Sequence, residues 1–488
     1  MQDDKNLSKI NIQKQHIMEN KELSLLEALI PVVILMGFLA YNIFYADGVM
    51  FGDYSNQYIL LIGGLVAAFV GFYNKVSIIR MLLEIWENWM SIKVPIFILL
   101  LVGALAGTWL VSGVIPAMVY YGLQVLSPDI FLPASVIIAA IISIATGSSW
   151  TTSATVGIAL IGIGGALGIP AGMIAGAVIS GAYFGDKMSP LSDTTNLAPA
   201  MAGTDLFTHI KYMAYTTVPT VLVTLVAFTI MSFTIDTSGS ADISGLLASI
   251  DNTFHITPWL FLVPAAVVGM IVLKTKPLIA LGVGVLLAIV FAFIFQGDVL
   301  SSLSDSAGES ILNAVFTDTQ IATENKTLAD LFNSGGMGGM TWTILLIVCA
   351  MVFGGVMDAI GALARLTKAL LSLASSIFGL FASTVVSCLG LNVIASDQYL
   401  ALVIPGKMFK KAYEDRGLAP ENLSRTLEDS GTVTSVLIPW NTCGAYQSGV
   451  LGVGVGEYFF YAIFNWLSPF MTLMFAAFRI KIRQLVTK

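Results

Sequence analysis

Two short polar stretches lie inside otherwise apolar sequence in the first half of the chain. Residues 146–153 read TGSSWTTS, with six hydroxyl side chains beside Gly147, a residue type that readily ends a helix. Residues 185–196 read GDKMSPLSDTTN and hold three ionisable side chains beside Pro190. Hydroxyl, amide and carboxylate oxygens are the ligands that hard cations prefer. The two stretches together therefore indicate the binding of an ion.

The second half of the chain holds a comparable pair. Residues 391–398 read LNVIASDQ, and residues 428–435 read EDSGTVTS, followed by PWNT at 439–442. Charge placed among apolar helices is costly and by default marks an ion pathway or a proton relay. The candidate ion- or proton-binding residues are Asp186, Asp193, Asp397 and Asp429, with Na⁺ predicted at Asp193 and Asp397. The candidate coordinating residues are Ser148, Ser149, Thr151, Thr152, Ser192, Thr194, Thr195, Asn196, Asn392, Ser396, Asn441 and Thr442.

These signals also have plainer interpretations. Ser and Thr in membrane helices commonly hydrogen-bond to carbonyl groups of their own helix, although six in eight positions favour a ligand cage. Asp186 and Lys187 could form a structural ion pair near the cytoplasmic mouth, which would require unwound backbone because adjacent helical residues do not face each other. Asp429 could occupy a solvated position at that mouth. Asp193 has no basic residue within four positions, and we therefore expect it to be a ligand.

The composition determines the class of protein. Of 488 residues, 56% are hydrophobic and 11% are charged, whereas a soluble domain carries about 25% charged residues. At about 20 residues per membrane helix, this predicts an all-α polytopic membrane protein. A net charge of −7 without a basic stripe argues against nucleic-acid binding. The three cysteines lack metal-binding spacing and no nucleophile–base set is visible, so we expect neither an enzyme nor a bound cofactor.

The placement of Lys and Arg predicts the orientation in the membrane. With a cytoplasmic N-terminus, all of the 23 Lys and Arg residues except Lys187 and Lys326 fall on the cytoplasmic side of the predicted spans. Both termini are then cytoplasmic. Residues 1–24 lack the apolar region and cleavage site of a secretory signal. The apolar run that begins near Leu25 is therefore predicted to remain as a membrane anchor.

The same topology predicts two repeats of opposite orientation, with about ten transmembrane helices plus two re-entrant hairpins and two broken helices. A shift of 243 residues brings Asp186 onto Asp429 and Gly147 onto Gly390. Inverted repeats with discontinuous helices are typical of secondary transporters. The predicted segments are a cytoplasmic tail at 1–24, a first repeat at 25–235 (hairpin 133–168, broken helix 171–200), an outside linker at 236–257, a second repeat at 258–478 (hairpin 376–406, broken helix 427–456) and a basic cytoplasmic tail at 479–488.

Four motifs resemble the NhaC-type sodium/proton antiporter family, and the resemblance extends over about residues 25–480. The motifs are GSSWTTSATVGIAL, GAYFGDKMSPLSDTTNLAP, ASDQYLALVIPGKMF and LEDSGTVTSVLIPWNTCGAY. The resemblance implies a Na⁺-coupled antiporter of the bacterial inner (plasma) membrane, with a scaffold part and a moving transport part. Some members of this family exchange malate and protons for lactate and sodium. The first hairpin and the Asp193 motif are common to both activities.

Na⁺/H⁺ exchange by alternating access is the leading hypothesis, with Na⁺ and protons competing for the same carboxylate oxygens. A Na⁺- and H⁺-coupled exchanger of small carboxylates stays open, because half-helix N-termini can bind an anion without an arginine. An ion channel is the weaker alternative, since the helix breaks predict one occluded site rather than a continuous pore. The expected partners are Na⁺, protons, membrane lipid and, in the second case, a small carboxylate. A homodimer is left open, and nucleic acid is not expected.

Overall fold

Helices make up nearly all of the secondary structure. The computed structural model describes residues 23–46, 49–234, 243–273, 275–323, 328–329 and 332–485. Most of the predicted N-terminal tail, and parts of the predicted linker and C-terminal tail, lie outside these ranges. Two short strands, β1 (Thr319–Gln320) and β2 (Asn333–Ser334), pair antiparallel. The prediction of an all-α polytopic membrane protein is confirmed.

The helices of the first half end at α9, and one of them contains a π-helical turn. The helix α6 covers 149–166 and consists of Ser149–Thr152, the π-helical turn Ser153–Gly157 and Ile158–Ala166. The others are α1 (Leu25–Tyr45), α2 (Ser55–Tyr73), α3 (Ile78–Val111), α4 (Val114–Val125), α5 (Pro128–Thr146), α7 (Ala171–Met188), α8 (Asp193–Ala202) and α9 (Leu206–Thr234).

The second half begins with α10 and also contains a π-helical turn, Glu428–Thr432, directly after α20. The 3₁₀ turns Pro258–Phe261 and Ser435–Leu437 precede α11 and the gap before α21. The helices are α10 (Ile243–Thr253), α11 (Leu262–Val272), α12 (Pro277–Phe295), α13 (Gly297–Leu303), α14 (Ala307–Phe316), α15 (Gly336–Gly339), α16 (Thr341–Ala359), α17 (Ala362–Ser372), α18 (Ile377–Ile394), α19 (Gln398–Glu414), α20 (Pro420–Leu427), α21 (Thr442–Leu451), α22 (Val455–Tyr458) and α23 (Ile463–Ala477).

Eight helices in the described ranges are long and apolar enough to cross a membrane. The number is nine if Ser244–Thr253 and Pro258–Val272, which are bent by 86°, count as one span. Two of the eight are α5 and α18, the outgoing limbs of the predicted hairpins. The limb α5 begins five residues before the predicted boundary, and its 19 residues extend about 28 Å at 1.5 Å per residue.

The chain doubles back between α5 and α6. Gly164 in α6 lies against Phe131 near the start of α5, and also against Ile174 near the start of α7. The helices α5 and α7 run side by side in the same direction, because Gly181 meets Val136 and Gly185 meets Ala140. Glycine at both positions lets the α5 backbone approach closely, as small residues do between membrane helices. The turn at 147–148, here called the first tip, is therefore level with the gap at 189–192, called the first break.

The second half repeats this arrangement. The helices α18 and α19 form a hairpin with the second tip at 395–397, and a second break at 438–441 separates the 3₁₀ turn after α20 from α21. Four residues with positive φ in the first half have counterparts later in the chain, by 248 residues for the first pair and by 249 for the others. The pairs are Gly113 with Gly361, Gly147 with Ser396, Gly168 with Gly417 and Gly203 with Gly452.

The register predicted from the sequence was wrong by six residues. A shift of 243 matches acids to acids, whereas the helix caps and breaks match at 249 and pair Pro190 with Pro439. The counterpart of Asp186 is then Ser435 rather than Asp429. The repeat is therefore carried by the backbone turns, which glycine and proline specify, and not by the charged side chains.

Returning limbs lie beside the other unit's broken helix. The helix α8 runs alongside α19 in the same direction, with Asp193 next to Tyr399 and Met201 next to Gly406. In the same way α6 runs alongside α21, because the Trp150 and Tyr446 rings stack and Gly157 meets Leu451. This exchange brings both tips and the first break to one place.

Candidate ion-binding site

A cavity of about 550 Å³ lies where the two tips and the first break meet. One wall is apolar and comes from α3 and the end of α11, including Ile92, Pro95 and Ile271. The opposite wall is polar. Its residues are Thr146, Ser148, Ser149, Thr151, Asp186, Asp193, Asp397, Gln398, Tyr399 and Thr442, with Lys276 and Thr275 from the loop before α12.

The first tip needs glycine for steric reasons. Gly147 has φ of 66°, a left-handed conformation that other L-residues adopt at a cost. A side chain there would also collide with Leu191 and the Ser192 backbone in the first break. The next residue, Ser148, caps α6 by accepting hydrogen bonds from the Thr151 amide at 3.2 Å and the Thr151 hydroxyl at 3.1 Å. The tip and the break are thus held in direct contact.

Asp186 lies in the last turn of α7 and lines the cavity. The Ser149 hydroxyl donates to its Oδ2 at 2.8 Å, so the first tip orients this carboxylate. Its Oδ1 is buried and has no hydrogen-bond partner among the described residues. The close packing of α5 on α7 places Asp186 at this depth.

Asp193 and Asp397 are joined through Tyr399. Asp193 is the first residue of α8, and its Oδ2 accepts a short hydrogen bond from the Tyr399 hydroxyl. Asp397 is the N-cap of α19, and its Oδ1 accepts from the Tyr399 amide at 2.9 Å and the Leu400 amide at 3.0 Å. No hydrogen bond engages Asp397 Oδ2 in the described part of the chain. The carboxylate oxygens available to a ligand are therefore Asp186 Oδ1 and Asp397 Oδ2.

Four helices begin around this cavity. Ser148, Ser192, Asp397 and Asn441 are the N-caps of α6, α8, α19 and α21, and each accepts a hydrogen bond from a backbone amide of its helix. The N-terminus of a helix carries partial positive charge and favours nearby anions. The four helix ends thus stabilise ionised carboxylates, whether these belong to the chain or to a bound molecule.

The second tip and second break are locked to each other by side-chain amides. Asn392 donates to the Gly431 carbonyl at 2.7 Å and to Thr434 Oγ1 at 3.1 Å. Asn441 donates to the Asn392 carbonyl at 3.0 Å, and the Trp440 indole donates to the Val393 carbonyl at 2.8 Å. The Ser396 carbonyl accepts from the Thr442 amide at 2.9 Å. Among these residues only Thr442 lines the cavity, so Asn392, Ser396 and Asn441 are structural in this state.

Asp429 is not in the cavity. It forms an ion pair with Lys187, and both side chains are fully buried. The Thr216 hydroxyl donates to Asp429 Oδ2 at 2.8 Å, and the Thr472 hydroxyl donates to the same oxygen. Lys187 therefore pairs across the two halves of the chain and not with Asp186, and Asp429 is neither solvated nor free to bind an ion in this state.

The remaining predicted residues support the first break. Thr195 Oγ1 donates to the Lys187 carbonyl at 3.1 Å, and the Asn196 side chain donates to the Ser192 carbonyl at 2.6 Å. Ser192 and Thr194 hydroxyls lie 3.2 Å apart, and Thr152 Oγ1 donates to the Ser148 carbonyl at 2.9 Å. These hydroxyl groups satisfy carbonyl groups that the helix breaks leave unpaired. None of these four residues lines the cavity.

Three important residues escaped the sequence prediction. Tyr399 was not expected because it lies in an apolar helix; its place two residues after Asp397 was the available signal. Glu428 is fully buried, and neither carboxylate oxygen has a hydrogen-bond partner within the described ranges. Arg425, expected on the cytoplasmic surface, is also fully buried, with its guanidinium 4.6 Å from the Tyr212 ring centre.

The carboxylates are too dispersed to form a cluster of the kind that holds a transition metal. No group of three or more His, Cys, Asp or Glu side chains suitable for a metal ion occurs in the described part of the chain. A Na⁺ ion also takes hydroxyl and carbonyl oxygens as ligands, so this finding leaves the predicted Na⁺ at Asp193 and Asp397 as a prediction.

The comparisons with known proteins agree with the motifs. A family model described as the Na⁺/H⁺ antiporter family matches residues 181–480. The Na⁺/H⁺ antiporter NhaC of Alkalihalophilus pseudofirmus is 39% identical over 419 residues, which cover 84% of this chain and 87% of the relative. The chain belongs to the Na⁺/H⁺ antiporter family. Its matched region contains the first break, the second tip and the second break.

Other relatives of this antiporter chain carry different names. The malate-2H⁺/Na⁺-lactate antiporter of Bacillus subtilis is 36% identical and covers 76% of this chain and 78% of the relative. The arginine/ornithine antiporter ArcD of Halobacterium salinarum is 33% identical and covers 78% and 77%. This antiporter-family chain is therefore a secondary transporter and a multi-pass membrane protein.

Proposed function

We propose that the protein exchanges Na⁺ for protons by alternating access at the cavity between the tips. The observation that carries this proposal is the convergence of Asp186, Asp193 and Asp397 on one cavity, with Asp186 Oδ1 and Asp397 Oδ2 unengaged. The NhaC relatives support the choice of Na⁺ and protons. A transporter of this kind makes no covalent bond, so we also propose that it is not an enzyme and needs no resident cofactor.

Competition for the same oxygens would couple the two ions. A carboxyl group that holds a proton offers one fewer oxygen and no net charge to Na⁺, whereas a bound Na⁺ excludes the proton. Each return of the empty site across the membrane is then made in the protonated form. Ser149 and Tyr399 hold two of the three carboxylates in place during this exchange.

Access would alternate through movement of the tips and breaks against the apolar wall. The cavity extends to Thr275 and Lys276, in a loop that the positive-inside pattern assigns to the cytoplasm. The proposed state is therefore inward-facing, with both termini cytoplasmic and the protein in the bacterial plasma membrane. In the opposite state the α3 wall would close this path, and the outer ends of the hairpins would separate.

The proposal is tested in proteoliposomes that contain a pH-sensitive dye. A Na⁺ pulse outside should change the internal pH with saturating dependence on Na⁺, and Asp193→Asn should remove the response. Asp205→Asn, which changes an exposed carboxylate at the start of α9, is the matched control and should behave as wild type. A linear, non-saturating response would indicate a channel instead.

A second candidate, exchange of a small carboxylate together with Na⁺ and protons, is favoured by the size and polarity of the cavity. About 550 Å³ is within the range of small-molecule pockets, and four helix N-termini with Lys276 at one end suit an organic anion. Adding malate inside and lactate outside distinguishes the candidates. Proton movement that requires these anions would replace simple Na⁺/H⁺ exchange.

A further inference from the structure

A second cavity, of about 480 Å³, lies away from the transport site. It is formed by the first turns of α9 and the segment that follows α23, with Lys211, Tyr212, Tyr215, Lys481 and Arg483 in its lining. Three of these five side chains are basic. The residues that line the cavity include no acid.

The balance of charge around this cavity is positive. Arg483 is paired with Glu421 at 2.6 Å. At the rim, Asp205 accepts a hydrogen bond from the Thr208 amide at 2.9 Å, and this bonding holds the pKa of Asp205 below its usual value, so it is ionised. Lys211 and Lys481 have no ion-pair partner among the described residues. The buried guanidinium of Arg425, stacked on Tyr212, adds a further positive charge.

Hydrogen bonds and ring contacts hold the cavity in shape. The Tyr212 hydroxyl lies 2.6 Å from Asn422 Oδ1 and accepts from the Arg483 amide at 3.1 Å. Lys481 adopts a left-handed backbone with φ of 49°, and its ammonium group lies 4.8 Å from the centre of the Tyr215 ring. The basic groups are therefore positioned by the fold rather than carried on a loose tail.

The cavity opens where a lipid-facing stripe ends. Along α9, Val218, Leu222 and Val226 are 44%, 56% and 58% exposed. Lys211 and Tyr215 continue this stripe at the spacing of one helical turn, on the side that the positive-inside pattern assigns to the cytoplasm. An acyl chain lying on the stripe would bring its headgroup to the basic side chains.

We propose that this cavity binds the phosphate group of an anionic phospholipid of the cytoplasmic leaflet. Basic pockets between membrane helices on this side are suited to such headgroups, because the lipid supplies both the negative charge and the apolar chains. The neighbouring Tyr212 and Arg425 pack on α20, which leads into the Lys187–Asp429 ion pair, so lipid binding there would stabilise the contact between the two halves of the transporter.

Native mass spectrometry of the purified full chain in detergent tests this proposal. Dioleoylphosphatidylglycerol, dioleoylphosphatidylethanolamine and inorganic phosphate are each titrated into wild type, Lys211→Gln/Lys481→Gln and the matched control Lys407→Gln/Lys411→Gln. The control removes two exposed basic residues of α19. Each basic group near an anionic lipid contributes about 1 kcal/mol, so the first double variant should bind phosphatidylglycerol about 30-fold more weakly.

The remaining arms decide the outcome. We expect phosphatidylethanolamine and inorganic phosphate to bind weakly to all three proteins, and the control to match wild type. Equal binding of phosphatidylglycerol by wild type and Lys211→Gln/Lys481→Gln would overturn the proposal. Inorganic phosphate that binds as well as the lipid would replace it with a free-anion site. The single variant Lys211→Gln, with an expected loss of about fivefold, serves if the double variant is poorly folded. None of these outcomes depends on transport.

Discussion

The two tips of the molecule share a backbone and differ in what their side chains do. Gly147 and Ser396 occupy equivalent positions with φ of 66° and 59°, and the breaks beside them contain Pro190 and Pro439. At the second tip, Asn392, Asn441 and Trp440 use their hydrogen bonds on the exposed backbone. At the first tip, Asp186 keeps a free oxygen beside a cavity.

This difference shows that a broken helix is not itself a binding site. A break exposes backbone groups that must find partners. Amide side chains satisfy those groups within the protein and give a rigid joint, whereas short hydroxyls and carboxylates leave acceptor oxygens for a ligand. We infer that the second tip supplies rigidity and one carboxylate, Asp397, while the first tip and first break supply most of the ion site.

The largest expected effect comes from removing charge at the first break. Asp186→Asn and Asp193→Asn should each reduce Na⁺-driven proton movement by at least about 100-fold, equivalent to about 2.7 kcal/mol of lost ion binding. Asn392→Ala, which alters only the amide joint, should weaken the protein but retain the same Na⁺ concentration for half-maximal exchange. Full exchange by either aspartate variant would remove that residue from the site.

Breaking the buried ion pair should act on stability. Lys187→Met leaves Asp429 charged and unpaired inside the protein, which typically costs about 3–5 kcal/mol. The double variant Lys187→Met/Asp429→Asn removes both charges and should recover most of the loss. Thermal unfolding in detergent measures both. A double variant as unstable as Lys187→Met would show that the pair is not the cause.

The glycine at the first tip should be harder to replace than its counterpart. Gly147→Ala combines left-handed strain with a collision against Leu191, and should cost about 2 kcal/mol or more. Ser396→Gly should change stability by less than about 1 kcal/mol, because relief of the strained backbone offsets the greater freedom of glycine in the unfolded chain. Equal losses in the two variants would contradict the direct contact between first tip and first break.

A smaller change is expected from the hydroxyl that joins Asp193 to the second tip. Tyr399→Phe removes a donor that occupies Asp193 Oδ2, so that oxygen becomes available to Na⁺. We expect Na⁺ affinity to rise about threefold to tenfold, the value of one hydrogen bond. Tyr215→Phe is a matched control outside the cavity. A loss of Na⁺ affinity in Tyr399→Phe would mean that the hydroxyl itself binds the ion.

Local chemistry was predictable from the sequence, and long-range pairing was not. Hydroxyl density around Gly147 and the isolation of Asp193 identify the cavity, because an apolar helix has few other uses for these side chains. The partner of Lys187 lies 242 residues away, and no periodicity points to it. The register was missed because matching acids have different roles in the two halves. Tyr399 was missed because an aromatic residue in an apolar helix is usually packing.

Calorimetric titration of the purified protein with Na⁺ tests the central claim most directly. When the titration is repeated in buffers with different ionisation enthalpies, the heat gives the number of protons released per Na⁺ bound. The account predicts proton release with binding, weaker Na⁺ affinity as the pH falls, and loss of both in Asp193→Asn. Na⁺ binding that releases no protons and does not depend on pH would contradict the claim that the two ions compete for the same carboxylates.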